Sequence, residues 1–579
     1  MTTFIANIGT SDLAVKVDDY YIPVRFDRNE PNLDESGLTE NEEGIWNLRQ
    51  DSMSEELCPE LGVQTQPQKN PNTPRFLFRE LTEKLLEAYE QDEEKWHSRI
   101  SPGRLQGVID TAKRDFGVNS AYIFVTNQQS LHRDDSIYLF QILKKWFQQE
   151  MEFELIDITI PPEVSPVNQD QLLDFYYQFF YKLDTQDDIL VSIKGGTPQM
   201  QNALRLQAVS STIPKQLFID PKISVKNILN GQPSQCQLTT YWKYMRNQKY
   251  QTVQQLLDRW DFDGAINILK NWQNSLTFLT EKDILTKTEI KQSRKQLDTV
   301  IDGLKIARSL FNFDILGARL IKDKDDDQNN FNQFFQYHND FLDENRYDSL
   351  LNIYTQCCVY SDLSHIANFL ARVGSLYENV ICRLIEKKGG YQNLYDGTWR
   401  INYNRFKNQI GEELLDEFRD LENAEYIAKG YNLKFSRFSK RNYAQILIKH
   451  RAQRNPTFQR ELESWLESEY QIEEQTFYGV LGLLKSLDYW IDKRNQLIHS
   501  AEGISQQRIQ EFNDQRHEND ENACKYEDII PVLTEILNNP LMTLNRNYRE
   551  TFVAGDKYYI YSDAKESAIG LLREDAANN

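Results

Sequence analysis

The sequence predicts an α/β Rossmann-like N-terminal domain followed by an all-α C-terminal domain. Two observations carry this. Up to about residue 240, short apolar runs alternate with amphipathic stretches, as in a parallel sheet with helices on both faces. From about 245 the apolar residues recur with a 3.6 period almost continuously to 540, as in a helical assembly.

The elements follow in order. "FIANIG" (4–9) is a short apolar run ending in Gly and reads as a strand. "AVKV" and "YYIPVRF" read as a hairpin after it. Residues 27–75 are polar, with Pro and Asn and little periodicity, and read as a loop or insertion. "FLFRELTEKLLEAYEQ" has helical spacing, "AYIFVTN" (121–127) is a buried strand, and "DSIYLFQILKKWFQQ" is a helix opened by Asp. "FELIDI" is a strand and "QDQLLDFYYQFFYKL" a helix. "DILVSI" (188–193) is a strand, "KGGTPQMQNALRLQAV" a turn and helix, and "KQLFID" (215–220) a closing strand. The helical half, 245–579, includes "VQQLLDRWDFDGAINILKNW", "HIANFLARVGSLYENVICRLI" and "FYGVLGLLKSLDYWIDKRNQLIH", with an insertion around 385–470.

Composition narrows the function classes. With 40% hydrophobic and 12% aromatic residues, the 579-residue chain can bury real cores. It has no apolar run of about 18 residues, so no membrane span is expected. Its start lacks a basic region and a small-residue cleavage site, so no signal peptide is expected. The six Cys (58, 236, 357, 358, 382, 524) form no CxxC pair and no ligand spacing with His. A cytoplasmic protein without disulfides or a metal site is expected. The net charge of −21 argues against a broad nucleic-acid footprint and against stable DNA binding.

Ligands of open parallel sheets bind beyond the carboxyl ends of the strands. Three polar clusters fall at such ends: "GTSD" (Gly9 to Asp12), "TNQQ" (Thr126 to Gln129) and "KGGTPQ" (Lys194 to Gln199). Adjacent Gly let backbone approach a ligand, a helix start offers free N–H groups, and Lys194 adds a charge. Any one cluster also reads as an ordinary strand–helix turn. Together they point to a nucleotide-like ligand. With neither a Walker A loop nor a GxGxxG fingerprint, they point away from an ATPase or dehydrogenase.

The second stretch is "DKRNQLIHSAEG" (492–503), where Arg494 and His499 form an R-x4-H pair. Metal-free RNA cleavage needs a group to move the 2′-hydroxyl proton and a cation for the phosphate charge. His titrates near neutrality and Arg offers a fixed fork. With 32 Arg and seven His, about 0.4 such pairs arise by chance. A surface Arg and a half-buried His ending a helix is the competing reading. On a straight helix the two positions lie about 140° apart. Either the helix ends or tightens here, or two copies share a composite site.

Taken in order, these stretches resemble the CRISPR-associated ribonucleases that join a CARF sensor domain to a HEPN nuclease domain. "NIGTSDL" and "SIKGGTPQM" are similar to the CARF ligand loops, and "RNQLIH" to the HEPN R-x4-6-H motif. "RWDFDGAINIL" (259–269) and, more loosely, "LYENVICRLI" (376–385) are similar to HEPN helices. The resemblance implies a CARF-like sensor over 1–240 and a HEPN nuclease over 245–579. It implies a homodimer that binds cyclic oligoadenylate; an even ring matches a two-fold pocket, which favours cyclic tetra-adenylate but also admits a ring of six. It also implies metal-independent cleavage of single-stranded RNA in type III CRISPR antiviral defence, leaving a 2′,3′-cyclic phosphate and a 5′-hydroxyl. Arg494 and His499 are then catalytic and Asn495 accessory, while Thr10, Ser11, Lys194, Gly195, Gly196 and Thr197 fall in the ligand loops. Gln128 and Gln129 extend the ligand set by strand-end logic. The rival expectations are a ligand-gated regulator without cleavage, and a toxin-like or RNA-binding HEPN protein with a different nucleotide activator.

Overall fold

The computed structural model describes residues 2–25, 33–66, 75–128, 134–183, 188–211, 213–323, 334–335, 342, 348–423, 431–433, 436–500, 505–539 and 557–578, and leaves out the side chains of 496–500 and 517–519. The chain packs as two compact units. The first is 1–251 with 268–295 and 575–579, and the second is 252–267 with 296–574. The helix Trp242–Asp258 is divided between the two units.

In the first unit, β1 (Thr2–Asn7) is followed by the hairpin β2 (Ala14–Val17) and β3 (Tyr20–Pro23), which β4 (Ile100–Ser101) extends to three strands. The main sheet adds β5 (Ser120–Thr126), β6 (Glu154–Ile160), β7 (Asp188–Ser192), β8 (Gln216–Lys222) and β9 (Gln235–Thr239), in the order β6-β5-β1-β7-β8-β9. The first five in that order are parallel; β9, which sequence reading did not anticipate, closes the edge antiparallel to β8. Phe4–Asn7 and Ile189–Ser192 are buried at every successive position. Strands covered on both faces carry continuous apolar runs of this kind. The intervening helices are Phe78–Gln91, Gly103–Phe116, Ile137–Met151, Gln169–Tyr181 and Pro198–Ser210.

Two local readings change. The 27–75 segment, expected to be loop, contains the helix Glu40–Ser52. Its start is a capping box: Glu42 N–H donates to Thr39 Oγ1 at 3.2 Å and Thr39 N–H to Glu42 Oε2 at 2.7 Å. The helix Gly103–Phe116, unassigned in the sequence, ends on Gly117 in the left-handed region (φ 65°).

The second unit is mainly helical. The helix Ile366–Lys387 buries Phe369, Leu370, Val373, Leu376, Tyr377, Val380, Ile381 and Leu384, a stripe at three- and four-residue spacing. The helices Tyr403–Leu421 and Arg437–Arg454 lie within residues 385–470, and Asp488–Ser500 packs against Ile366–Lys387. The expectation that strands stop after about 245 fails at a hairpin, β10 (Glu469–Ile472) with β11 (Gln475–Tyr478), turned at Glu473 with φ 50°. Its alternating exposed and buried residues have a period of two inside a helical context.

Candidate functional site

β1 is paired to β5 on one side and β7 on the other, all parallel, so the loops after these strands leave the same sheet edge. The chain builds outward from β1 through β5 to β6 and then returns to place β7 on β1's other flank. The ends of β1 and β7 therefore mark the topological switch point.

At that point the two loops touch through glycine. A Cβ on Gly9 would lie 2.7 Å from the Gly196 nitrogen. Gly195 has φ 109°, and a Cβ there would lie 2.6 Å from both Arg104 Nη2 and the Asn7 carbonyl oxygen. The adjacent glycines, expected to admit a ligand, are required first by this loop-on-loop contact. Under the loops Arg104 is 5% exposed and Asp12 fully buried. The Arg104 guanidinium pairs with both Asp12 carboxylate oxygens and also donates to the Lys194 and Asn7 carbonyls. Asp12 in turn accepts from the Gly9 N–H at 2.8 Å. One buried cation thus joins the ends of both strands. Sequence reading quoted Asp12 but missed Arg104, which lies in "SPGRLQ" with no motif around it.

The expected ligand residues separate by role. Thr10 and Ser11 form the half-buried turn that the Asp12 N–H closes onto the Gly9 carbonyl at 3.0 Å. Lys194 is not the isolated cation its sequence context suggested. Its ammonium donates to the Pro221 carbonyl at 3.1 Å and lies 3.5 Å from Asp220. Thr197 caps the helix Pro198–Ser210, its hydroxyl accepting from the Met200 N–H at 3.2 Å, with Pro198 in the first turn. Gln128 is 6% exposed, and its amide donates to the Pro161 carbonyl at 3.2 Å. Gln129 lies outside the described residues. Asp135, expected to open a helix, instead accepts from the Gln128 N–H at 2.7 Å and pairs with Arg79, holding the loop after β5. Ser136 occupies the N-cap position.

In the second unit, the helix Asp488–Ser500 runs unbroken through positions 494 and 499. The helix continues between the two positions, with an offset of about 140° along it, and ends one residue beyond 499. The helix is anchored by Trp490, whose indole N–H donates to the Cys524 carbonyl at 2.8 Å, and by Tyr489, whose hydroxyl donates to the Phe512 carbonyl at 2.8 Å. Arg494 is half-buried. Its Nη1 donates to Asn495 Oδ1 at 2.9 Å, and its buried Nε has no hydrogen-bond partner among the described residues. The His499 side chain lies outside the described atoms. Among the described residues no group of three His, Cys, Asp or Glu side chains is placed to hold a metal ion. No described helix is long and apolar enough to cross a membrane.

No family model matches this chain, and no curated protein does. Among solved structures, the chain is similar to Enterococcus italicus Csm6 bound to cyclic hexa-2′-fluoro-hexa-dAMP, at 15% identity and a TM-score of 0.46, over 80% of this chain and 95% of that one.

Proposed function

We propose that this protein is a CARF–HEPN ribonuclease of type III CRISPR defence, activated by cyclic oligoadenylate and cutting single-stranded RNA without a metal. The observation that carries the reading is the Arg494–Asn495 pair on a helix that continues unbroken to position 499. Asn495 holds one guanidinium nitrogen, Nη1, and in this reading the rest of the fork serves the phosphate. In the proposed reaction the 2′-hydroxyl attacks the adjacent phosphorus and the 5′-oxygen leaves. His499 moves the proton, and Arg494 meets the charge that develops on the phosphate. The 140° offset is resolved when Arg494 of one copy and His499 of another share a composite site, so the active form is a homodimer. In the first unit, the loops after β1 and β7 form the activator site, with Thr10, Ser11, Lys194 and the glycine pair around the ligand. An even ring, first of all cyclic tetra-adenylate, suits a two-fold pocket.

The test is cleavage of end-labelled RNA, with DNA as control, against a panel of cyclic oligoadenylates in excess EDTA. RNA should be cut only with activator, and DNA should stay intact. His499→Ala should lose activity by about 10²–10⁴-fold while still dimerising and binding activator. Wild-type activity that disappears in EDTA, or survives in His499→Ala, sinks the assignment.

A further inference from the structure

From Ser436 to Arg460 the chain carries seven Lys and Arg and no Asp or Glu, although its net charge is −21. Such a run suggests an RNA track, but the structure shows most of its charge engaged inside the second unit. Lys440 pairs with Glu378, Lys449 with Glu417, and Arg437 and Arg441 with Asp488. Arg451 and Arg454 donate to backbone carbonyls of Lys387 and Gln409.

The Asp488 node differs from the others because it lies on the helix of Arg494. Asp488 is 3% exposed. Arg437 Nε donates to Asp488 Oδ1 at 2.7 Å, while its Nη2 reaches the Asp488 carbonyl at 3.1 Å and Asp492 Oδ1 at 2.7 Å. Arg441 closes on the other Asp488 oxygen and donates to the Tyr377 hydroxyl at 2.7 Å. Helices Arg437–Arg454, Ile366–Lys387 and Asp488–Ser500 therefore meet at one carboxylate. At about 100° per residue, positions 488, 492, 495 and 499 fall within a sector of about 60°, whereas 494 points away from it. Arg437 thus grips, at two points one turn apart, the stripe that includes Asn495 and position 499. Two such points set the rotation of a helix about its axis as well as its depth.

We infer that Arg437 is a positioning residue: its planar fork spans Asp488 and Asp492 and sets the rotation of the helix that presents Arg494, Asn495 and position 499. The inference rests on the nuclease reading for its effect on activity, and on the structure alone for its effect on the helix. Arg437→Gln should lower kcat for RNA by about 10²-fold, the scale of a small misplacement of reacting groups, with KM and activator affinity within twofold of wild type. Asp492→Asn, at the half-exposed end of the grip, should lower kcat about tenfold and leave Tm unchanged. Arg437→Lys should restore Tm but not kcat, because an ammonium is a point charge and cannot span two carboxylates. Amide exchange over residues 488–500 should quicken in Arg437→Gln. Full recovery of kcat in Arg437→Lys overturns the inference, as does a kcat loss in Asp492→Asn that merely follows Tm. If the wild type cuts no RNA, the nuclease reading fails and the exchange measurement decides alone: unchanged protection in Arg437→Gln overturns the positioning role.

Discussion

Arg104 and Asp12 form a buried ion pair whose guanidinium also donates to the carbonyls of Asn7 and Lys194, joining the two strand ends at the switch point of the sheet. Removing one partner of such a pair leaves an unpaired buried charge, at a cost of about 3–5 kcal/mol. Asp12→Ala should therefore destabilise the first unit by that amount in denaturant melts and abolish activator binding. Loss of binding with stability unchanged would place Asp12 in direct contact with ligand instead.

The glycine contact gives a second test. Gly195→Ala meets both a positive φ and atoms 2.6 Å away, and should cost about 1–3 kcal/mol. Gly570, within the helix Ile560–Asn578, has open space around it; Gly570→Ala should add about 0.5–1 kcal/mol. Opposite shifts in thermal melts check both at once.

Lys194 and Gln128 should respond differently. Lys194→Ala should raise the activator concentration needed for half-maximal cleavage by about tenfold, less than an uncommitted cation would, because Asp220 already draws on its charge. Gln128→Ala should lower stability by about 1 kcal/mol, leaving the Pro161 carbonyl to the Val164 N–H alone, and change activator affinity little. Calorimetric titration beside melting curves separates the two effects.

The acid limb of stability should include Glu60. The hydrogen bond from Arg99, with Lys95 adding to it, holds its carboxyl down at about 2, against an ordinary value of 4.5. The folded form therefore binds fewer protons than the unfolded form between these values. Its contribution is full above about pH 4.5 and disappears as pH falls toward 2. Glu60 is one-third exposed, so the amount is modest, under about 1 kcal/mol. Glu60→Gln should flatten the difference between melts at pH 5 and pH 3; an unchanged difference refutes the pairing.

Much of this molecule can be read from its residues in order. Strands at Phe4, Ala121 and Ile189 are visible because both-face burial writes an apolar run into the sequence, and the helix Ile366–Lys387 because one-face burial writes a 3.6 period. The strand ends, and so the loops at Gly9 and Lys194, follow from where those runs stop. Local chemistry visible in the sequence was also missed: Thr39 and Glu42 spell a capping box, and the period-two alternation of 469–478 lies within a longer helical pattern. Other features have no local signature. Arg104 lies 92 residues from Asp12 and Arg437 51 from Asp488, and a buried ion pair depends on which side chains the fold brings together in low dielectric, not on their spacing. The same holds for the glycines, whose need for an absent Cβ arises from a second loop. The sequence by itself determined the alternation of the main strands and helices before a helical half, the chain's acidity and the candidate chemistry of Arg494 and His499. Only the tertiary structure decided that Lys194 is paired, that the Arg494 helix does not break, and that the basic stretch after Ser436 spends most of its charge inside the protein. Each of those outcomes is set by contacts between distant residues, which compete with water and with one another only once the chain has folded.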